Sequence, residues 1–199
     1  MQVIDKIISN FTNNHSLYIG EKVTMSEHMI QTAMLAEKAK CDDNLICSSL
    51  LHDYGHFILE NPDELVELKI DGQHENIGYE YLKSFFKKEI VEPIKYHVLA
   101  KRYLANDKKY FDLLSEASKT SLKLQGGVLS REECTKFEAQ EYFKPSILLR
   151  KFDEAAKKTD IKMKSIHDYQ KLLVSKLCLL YTSDAADDTP CVDLGGRRI

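Results

Sequence analysis

The chain is poor in several features that would place it in other protein classes. It has no tryptophan, only four prolines and eight glycines among 199 residues, and no apolar run close to the ~18 residues of a membrane-spanning helix. A signal-peptide pattern is missing at the start, and no alternating apolar and polar stretch of any length indicates β-strands. We therefore expect a single all-α, cytoplasmic domain with no membrane partner.

Charge and cysteine content narrow the class further. The formal net charge is −3, and acidic and basic residues are mixed along the chain, so no nucleic-acid-binding surface is predicted. The cysteines form no Cys-x-x-Cys pair. Without a secretory signal, we expect all five to be free thiols in a reducing cytoplasm: Cys41, Cys47, Cys134, Cys178 and Cys191.

What the chain does contain is a spaced set of histidines and aspartates. An adjacent His-Asp pair lies in the segment Leu-Leu-His-Asp-Tyr-Gly-His, and the histidines of the set follow one another at intervals of 24, 22 and 23 residues. Each interval is about one helix plus one loop, so each ligand is expected on its own helix around a central site. The predicted metal ligands are His28, His52, Asp53, His74, His97 and Asp153.

Six ligands are more than one small ion needs. A zinc or iron ion takes four to six ligands, and a catalytic ion keeps one position open. The set therefore predicts two metal ions, with His52 binding one ion while the neighbouring Asp53 spans both. A surface or core position explains any single histidine better than metal binding does, and only the set as a whole indicates ligands. We assign His15 and His167 to the surface because they lie outside the pattern.

Capping residues and prolines predict the helix boundaries. Thr24 and Glu27 match a capping box, which would start the helix that carries His28. Asp42 or Asp43 is expected to cap the next helix, which runs into the His-Asp pair and bends or ends near Gly55. Three further helices are expected to open near Pro62, Pro93 and Pro145, the last two carrying His97 and Asp153, with a turn at Asp71–Gly72.

Basic side chains are expected beside the metals. Lys101 follows one predicted ligand by four residues and Arg150 precedes another by three, so each shares a helix face with a ligand. His56 also faces inward if its helix continues past the His-Asp pair. Such groups suit phosphate-like or carboxylate oxygens, so an anionic substrate is predicted. The alternative for Lys101 and Arg150 is a pair of solvated charges.

Two loops add candidate substrate contacts. In the segment from Ser121 to Gly127, paired glycines let the backbone approach a ligand, while Ser121 and Gln125 offer hydrogen bonds. A plain turn explains this segment as well. Near the N-terminus, Tyr18 and Glu21 are three apart beside a glycine, which alone is typical of a surface loop.

In their order along the chain, the six predicted ligands resemble the metal-binding pattern of the HD-domain superfamily. Over residues 10–160, the chain is similar to its mixed-valent di-iron oxygenase branch, which includes myo-inositol oxygenase and the phosphonate-degrading oxygenases. Tyr18 and Glu21 occupy the positions of a mobile Tyr-x-x-Glu in the phosphonate-degrading group. His56 replaces the lysine that many HD proteins have after His-Asp-x-Gly. Lys101, Gln125 and Arg150 fall where that group has substrate contacts.

The resemblance implies an HD-domain helical bundle around two iron ions in a mixed-valent Fe(II)/Fe(III) state, with O₂ as co-substrate. Asp53 would bridge the ions. One iron would be held also by His28, His52 and Asp153, and the other by His74 and His97.

The resemblance also implies the substrate, a small anionic organophosphonate of the 1-hydroxy-2-aminoethylphosphonate type. Cleavage of its carbon–phosphorus bond would give phosphate and glycine, or glycine betaine from the trimethylammonio analogue. His56, Lys101 and Arg150 would balance the phosphonate charge. Tyr18 would occupy the open iron position at rest, and Glu21 would meet the cationic nitrogen.

Alternatives to this function stay open. An HD-family metal-dependent phosphohydrolase or phosphodiesterase would use the same kind of ligand set, although His56 and the Tyr18/Glu21 pair favour the oxygenase. A catalytically silent HD module that binds a ligand or partner is disfavoured by the intact ligand set. Histidine and carboxylate ligands also suit Mn or Zn, and the sequence does not distinguish a primary amine from a trimethylammonium.

The end of the chain departs from the helical pattern. Residues 178–199 resemble the translation of a sequencing-library adaptor, so we expect the HD domain to span residues 1–177 and the remainder to be a non-native tail. A natural polar tail is the alternative.

Overall fold

A computed structural model describes residues 2–18, 20–59 and 72–178. The expected helix start near Pro62, Asp71 of the expected turn, and residues 179–199 of the expected tail lie outside these ranges. Within them, the chain forms helices and two isolated β-bridges but no β-strand, which confirms the all-α prediction. In this part of the chain, no helix is both long and apolar enough to cross a bilayer.

The described residues form ten α-helices and two short 3₁₀ helices. The α-helices are α1 Gln2–Asn13, α2 Met25–Lys38, α3 Asp43–Leu51, α4 His74–Leu82, α5 Lys88–Leu104, α6 Lys108–Leu113, α7 Glu116–Leu124, α8 Arg131–Glu138, α9 Phe143–Ala155 and α10 Gln170–Lys176. The 3₁₀ helices are η1 Tyr54–Phe57, which follows α3, and η2 Ile166–Tyr169, which precedes α10.

Three of the predicted boundaries are confirmed. The capping box at the start of α2 is present, with the side chains of Thr24 and Glu27 each accepting from the other's backbone N–H. Asp42, one of the two aspartates expected to cap α3, is the cap, and its carboxylate accepts from the Leu45 N–H at 2.8 Å. Pro145 lies in the first turn of α9, as expected of a helix-opening proline.

Two other predictions about helices were wrong. Pro93 does not open α5, which begins at Lys88; burial of Ile90 and Val91 favours extending the helix upstream although the proline ring cannot donate a hydrogen bond. Ser121 is not in a loop. It lies inside α7, whose buried Leu122 anchors the helix, and the turn begins only at Gln125.

The centre of the fold is formed by four helices. Helix α9 packs against α5 and α2, and α3 packs against α2 and α5, while α4 lies on α5 and η1. Their apolar faces share one core, with fully buried side chains such as Met29, Leu50, Leu51 and Ile94. The elements that carry the predicted ligands therefore converge on one region.

One glycine decides how closely η1 approaches α4. A Cβ atom on Gly55 would lie 1.9 Å from the carbonyl oxygen of His74 and 3.0 Å from the backbone nitrogen of Gly78. No side chain fits there, so Gly55 permits the contact that brings the turn after α3 against the first residue of α4.

Candidate metal centre

The structure brings the six predicted ligands together in the interior. His28 comes from α2, His97 from α5 and Asp153 from α9, while His74 is the first residue of α4. The His-Asp pair follows the last residue of α3, because that helix ends at Leu51. All six side chains are buried, and they form two groups of possible ligands: His28, His52 and Asp153 in one, and Asp53, His74 and His97 in the other.

Asp53 connects the two groups. Its Oδ2 lies 3.5 Å from His28 Nε2 and 3.3 Å from His52 Nε2. Its Oδ1 lies 3.2 Å from His74 Nε2 and 3.3 Å from His97 Nε2. The two oxygens of one carboxylate thus face different histidine pairs, which is the arrangement required of a bridging ligand.

Hydrogen bonds to backbone carbonyls fix the tautomer of three of the histidines. The Nδ1 atoms of His28, His52 and His97 lie 2.9, 2.9 and 2.6 Å from the backbone carbonyls of Ala156, Ser49 and Ile94. A carbonyl oxygen only accepts, so each Nδ1 carries the hydrogen, and each ring in its neutral form presents a lone pair at Nε2. These rings are therefore oriented as metal ligands.

The Nε2 atoms meet in pairs, 3.2 Å apart between His28 and His52 and 3.1 Å apart between His74 and His97. Between His28 and His52, whose neutral rings both present a lone pair at Nε2, this separation is repulsive unless the two nitrogens share a cation. Asp153 Oδ1, which is 3.3 Å from His28 Nε2, is also buried without a hydrogen-bond donor. These orphaned acceptors and the nitrogen and carboxylate donor set fit a transition-metal ion in each group.

Electrostatics support a cationic occupant. Burial opposes protonation of His28, but the adjacent carboxylates of Asp153 and Asp53 outweigh it and raise the pKa of His28 to about 9. Burial alone would raise the pKa of Asp53 and Asp153, yet the surrounding cationic groups and hydrogen bonds hold both well below the usual range. The site thus concentrates negative charge that a proton or a metal ion must balance.

His74 differs from the other three histidines in its outer partner. Its Nδ1 faces a carboxylate, Oε2 of Glu75, at 3.6 Å, where the others face carbonyls. Glu75 is buried, and this oxygen has no hydrogen-bond donor. A buried carboxylate behind a ligating imidazole raises the basicity of that ligand. Nothing in the sequence pattern had singled out Glu75.

Lys101, Ser121 and Gln125 form one polar cluster. The Lys101 ammonium donates to Ser121 Oγ at 2.6 Å and to Gln125 Oε1 at 3.0 Å. Burial, reinforced by the nearby Arg150 guanidinium, lowers the pKa of Lys101 to about 7. A lysine kept in this state gains charge readily when an anion arrives beside it.

Three hydrogen-bond acceptors fix the position of the Arg150 guanidinium. Its Nε donates to the Tyr110 hydroxyl at 2.9 Å, and its two terminal nitrogens donate to Asp153 Oδ2 and Glu154 Oε2. Asp153 thus uses one oxygen for Arg150 and presents the other to His28. Sequence reasoning missed Tyr110, which lies 40 residues from Arg150 with no local signal, and Glu154, whose i+4 spacing from Arg150 was a usable signal.

His56 reaches the site by a different route from the one expected. Helix α3 ends before the His-Asp pair, and the 3₁₀ helix η1 instead places the His56 ring on that of His74, with centroids 4.2 Å apart and planes inclined by 17°. Burial and the neighbouring His74 lower the pKa of His56 to about 3. His56 is therefore a neutral imidazole, able to donate one hydrogen bond.

The loop between α1 and α2 closes over the same region. The Tyr18 ring stacks on His28, and burial, reinforced by Asp153, raises the pKa of its phenol well above 10. Glu21 lies 3.2 Å from the ammonium of Lys157, a residue that sequence reasoning missed. The loop packs tightly on α7: Gly20 has φ +73°, and a Cβ there would lie 2.6 Å from that of Ala117.

Several known proteins are similar in sequence to this chain. The family model described as "HD domain" matches residues 25–142. A [1-hydroxy-2-(trimethylamino)ethyl]phosphonate dioxygenase (glycine-betaine-forming) from Leisingera caerulea is 46% identical over 145 residues, covering 72% of this chain and 74% of the relative. A hydroxymethylphosphonate dioxygenase from Gimesia maris is 40% identical over 154 residues, covering 76% of this chain and 77% of the relative.

Proposed function

The chain belongs to the HD-domain family, and we propose that it is an oxygen-dependent enzyme that cleaves the carbon–phosphorus bond of a small 1-hydroxyalkylphosphonate. The reaction balances with one O₂ for each substrate: the hydroxyl-bearing carbon becomes a carboxylic acid and the phosphonate leaves as phosphate. Both relatives described above are named as dioxygenases of hydroxylated phosphonates.

The observation that carries this proposal is the division of Asp53 between two histidine pairs. We infer a di-iron centre in which Asp53 bridges, with His28, His52 and Asp153 holding one iron and His74 and His97 the other. When bound, a mixed-valent iron pair supplies Lewis acidity for the substrate and electrons for O₂. A mononuclear site would leave one of the two histidine pairs without an ion.

The basic cluster accounts for phosphonate binding. Arg150 has five N–H donors, and contacts to Tyr110, Asp153 and Glu154 use three nitrogens once each, which leaves two N–H groups for a ligand. Lys101 adds a point charge, with its ammonium positioned by Ser121 and Gln125.

His56 contributes a neutral donor beside the second group of ligands, because it stacks on His74. Together with Lys101 and Arg150 it would surround an anionic head group with donors from three directions. These are the groups we assign to the phosphonate.

Tyr18 and Glu21, in the loop before α2, are the residues we assign to the part of the substrate other than the phosphonate. Tyr18 lies on His28, so its phenol is the group that an incoming substrate has to displace. Glu21 Oε1 is buried without a hydrogen-bond donor and is available to a nitrogen on the substrate. On this basis we propose that the chain acts on a 2-amino-1-hydroxyethylphosphonate, giving glycine, or on its trimethylammonio analogue, giving glycine betaine.

Anaerobic loading with iron followed by exposure to O₂ tests the proposal. We expect oxygen uptake and phosphate release in a ratio of one to one with 2-amino-1-hydroxyethylphosphonate, its trimethyl analogue or hydroxymethylphosphonate. Phosphate released from a phosphate ester without oxygen uptake would instead identify a phosphohydrolase. Binding without turnover of any of these compounds would identify a catalytically silent HD module.

A further inference from the structure

Lys157 is a largely buried cation, and the proposed reaction assigns it no role. It lies two residues beyond the end of α9, and its side chain is only 12% exposed. Its ammonium donates to Glu154 Oε1 at 2.8 Å and Ser118 Oγ at 2.9 Å, with Ser115 Oγ at 3.4 Å. Ordering a lysine so completely costs side-chain entropy, so this arrangement requires compensation from its contacts.

Lys157 and Glu21 form a salt bridge in which no hydrogen bond is aligned on the Glu21 oxygen. The ammonium is 3.2 Å from Glu21 Oε1, yet that oxygen has no hydrogen-bond donor and is buried. The three N–H groups of a lysine are accounted for by Glu154, Ser118 and Ser115. Glu21 therefore has its charge partly balanced while its oxygen stays open to another donor.

The same ammonium is close to the other loop residue of the site. It lies 6.0 Å from the centre of the Tyr18 ring, which itself stacks on His28. A substrate that displaces Tyr18 and reaches Glu21 must therefore enter the field of Lys157. Within a site of low polarity, charges at such distances interact much more strongly than in water.

We propose that Lys157 is a specificity-determining residue: it acts as a resident counter-ion for Glu21, so that the site accepts hydroxyphosphonates without a cationic nitrogen as well as those with one. This inference rests on the proposed function and extends it to the substrate class. With Lys157 present, an amine-free substrate leaves no bare buried carboxylate behind, whereas a substrate ammonium has to share Glu21 with a like charge.

Removing the charge of Lys157 distinguishes a counter-ion for Glu21 from a residue that only holds Glu21 in place. In Lys157→Met, an amine-free phosphonate loses an attractive cation and faces an unbalanced Glu21, while an amine-bearing one loses a competitor. The ratio of kcat/KM for 2-amino-1-hydroxyethylphosphonate to that for hydroxymethylphosphonate should therefore rise, roughly ten-fold or more for a charge contact at this range. If Lys157 merely held Glu21 in place, the ratio would fall, because the amine-bearing substrate would lose its partner.

Three further variants of the iron-loaded enzyme complete the test. Lys157→Arg keeps the charge and should keep a ratio near that of the wild type. Lys158→Met removes the adjacent, exposed lysine and should leave the ratio unchanged. In a Glu21→Gln background, which has no carboxylate to neutralise, Lys157→Met should raise the ratio less than it does in the wild type, because only the repulsion between Lys157 and the substrate ammonium is then removed. Should Lys157→Met fail to fold, Lys157→Gln, which keeps an N–H donor for Glu154 and Ser118, is measured in its place.

An unchanged or lower ratio in the charge-removing variant overturns the role of Lys157, as does an equal rise in the Glu21→Gln background. Anaerobic calorimetry of the two phosphonates with the iron-loaded protein gives the same ratio as a ratio of dissociation constants. A protein that binds both compounds but does not oxidise them contradicts the proposed function and still decides the role of Lys157. If the wild type binds neither compound, both proposals fail.

Discussion

The ring of Tyr18 lies flat against the imidazole of His28, with ring centroids 3.9 Å apart and planes inclined by only 9°. Tyr18 comes from the loop before α2, and His28 is a predicted ligand within that helix. The contact therefore connects a loop on the outside of the bundle directly to the candidate metal centre. Whatever displaces Tyr18 also changes the surroundings of a predicted metal ligand.

Tyr18→Phe should uncouple oxygen use from substrate cleavage. The variant keeps the ring that stacks on His28 but removes the hydroxyl that a substrate has to displace, so oxygen gains access before substrate arrives. We expect oxygen uptake to exceed phosphate release while metal content stays at the wild-type value. Tyr79→Phe, which removes a hydroxyl bonded to Glu92 outside the site, is the control. One-to-one coupling in Tyr18→Phe would contradict this role.

Asp53→Ala should abolish binding of both metal ions. Its two oxygens face different histidine pairs, so one substitution removes a ligand from each group. Metal analysis of the purified variant should find neither ion at a stoichiometric level, whereas His15→Ala, an exposed histidine outside the cluster, should retain both. Two irons per chain in Asp53→Ala would contradict the bridging assignment.

Glu75→Gln should weaken the metal group that contains His74. The buried carboxylate behind His74 Nδ1 raises the basicity of the ligand, and the amide lacks that charge. Titration of the metal-free protein with Zn²⁺ should show one of two sites weakened about 10- to 100-fold, the usual effect of losing such a partner. Glu80→Gln, on the same helix but exposed and paired with Lys83, should bind both ions normally. If Glu75→Gln and Glu80→Gln bound Zn²⁺ with equal affinities, Glu75 would have no role in metal binding.

Lys101→Met should stabilise the metal-free protein at neutral pH while weakening phosphonate binding. The pKa of Lys101 falls from 10.5 to about 7 on folding, so the charged form is disfavoured in the folded state. The charged lysine therefore lowers the free energy of unfolding, and this loss is fully present below pH 7 and disappears as pH rises toward 10. At ~1.4 kcal/mol for each pKa unit, the loss is on the order of a few kcal/mol. The melting temperature of the variant should exceed that of the wild type at pH 6, and the difference should shrink by pH 10. A variant that is less stable at pH 6 would contradict the argument.

A chain that ends at Cys178 should match the full chain in melting temperature and turnover. We propose that the segment beyond it is not part of the HD domain. Cys178 itself is retained because its N–H donates to the Phe85 carbonyl at 2.8 Å, next to the bridge between Phe86 and Leu177. A chain that ends at Lys176 lacks both contacts and should melt at a lower temperature. A clear loss of stability or activity in the longer of the two chains would show that the tail belongs to the protein.

Features that depend on local spacing could be predicted from the amino-acid sequence alone. The capping box at Thr24 and the cap at Asp42 are short-range hydrogen-bond patterns, and a sequence contains all of their members side by side. The order and spacing of the six predicted ligands likewise follow from helix and loop lengths, and the helical fold follows from the absence of alternating patterns. The role of each site residue stays a proposal.

The tertiary structure alone decided which side chains meet. Spacing did not reveal that the two oxygens of Asp53 face different histidine pairs, or that Tyr110 bonds to Arg150 across 40 residues. Local rules failed where packing outweighed them: burial beside Pro93 extends α5 upstream, and η1 rather than a continued α3 places His56 on His74. The contact between Lys157 and Glu21 joins the two ends of the domain, because only the folded path of the chain brings such distant charges together.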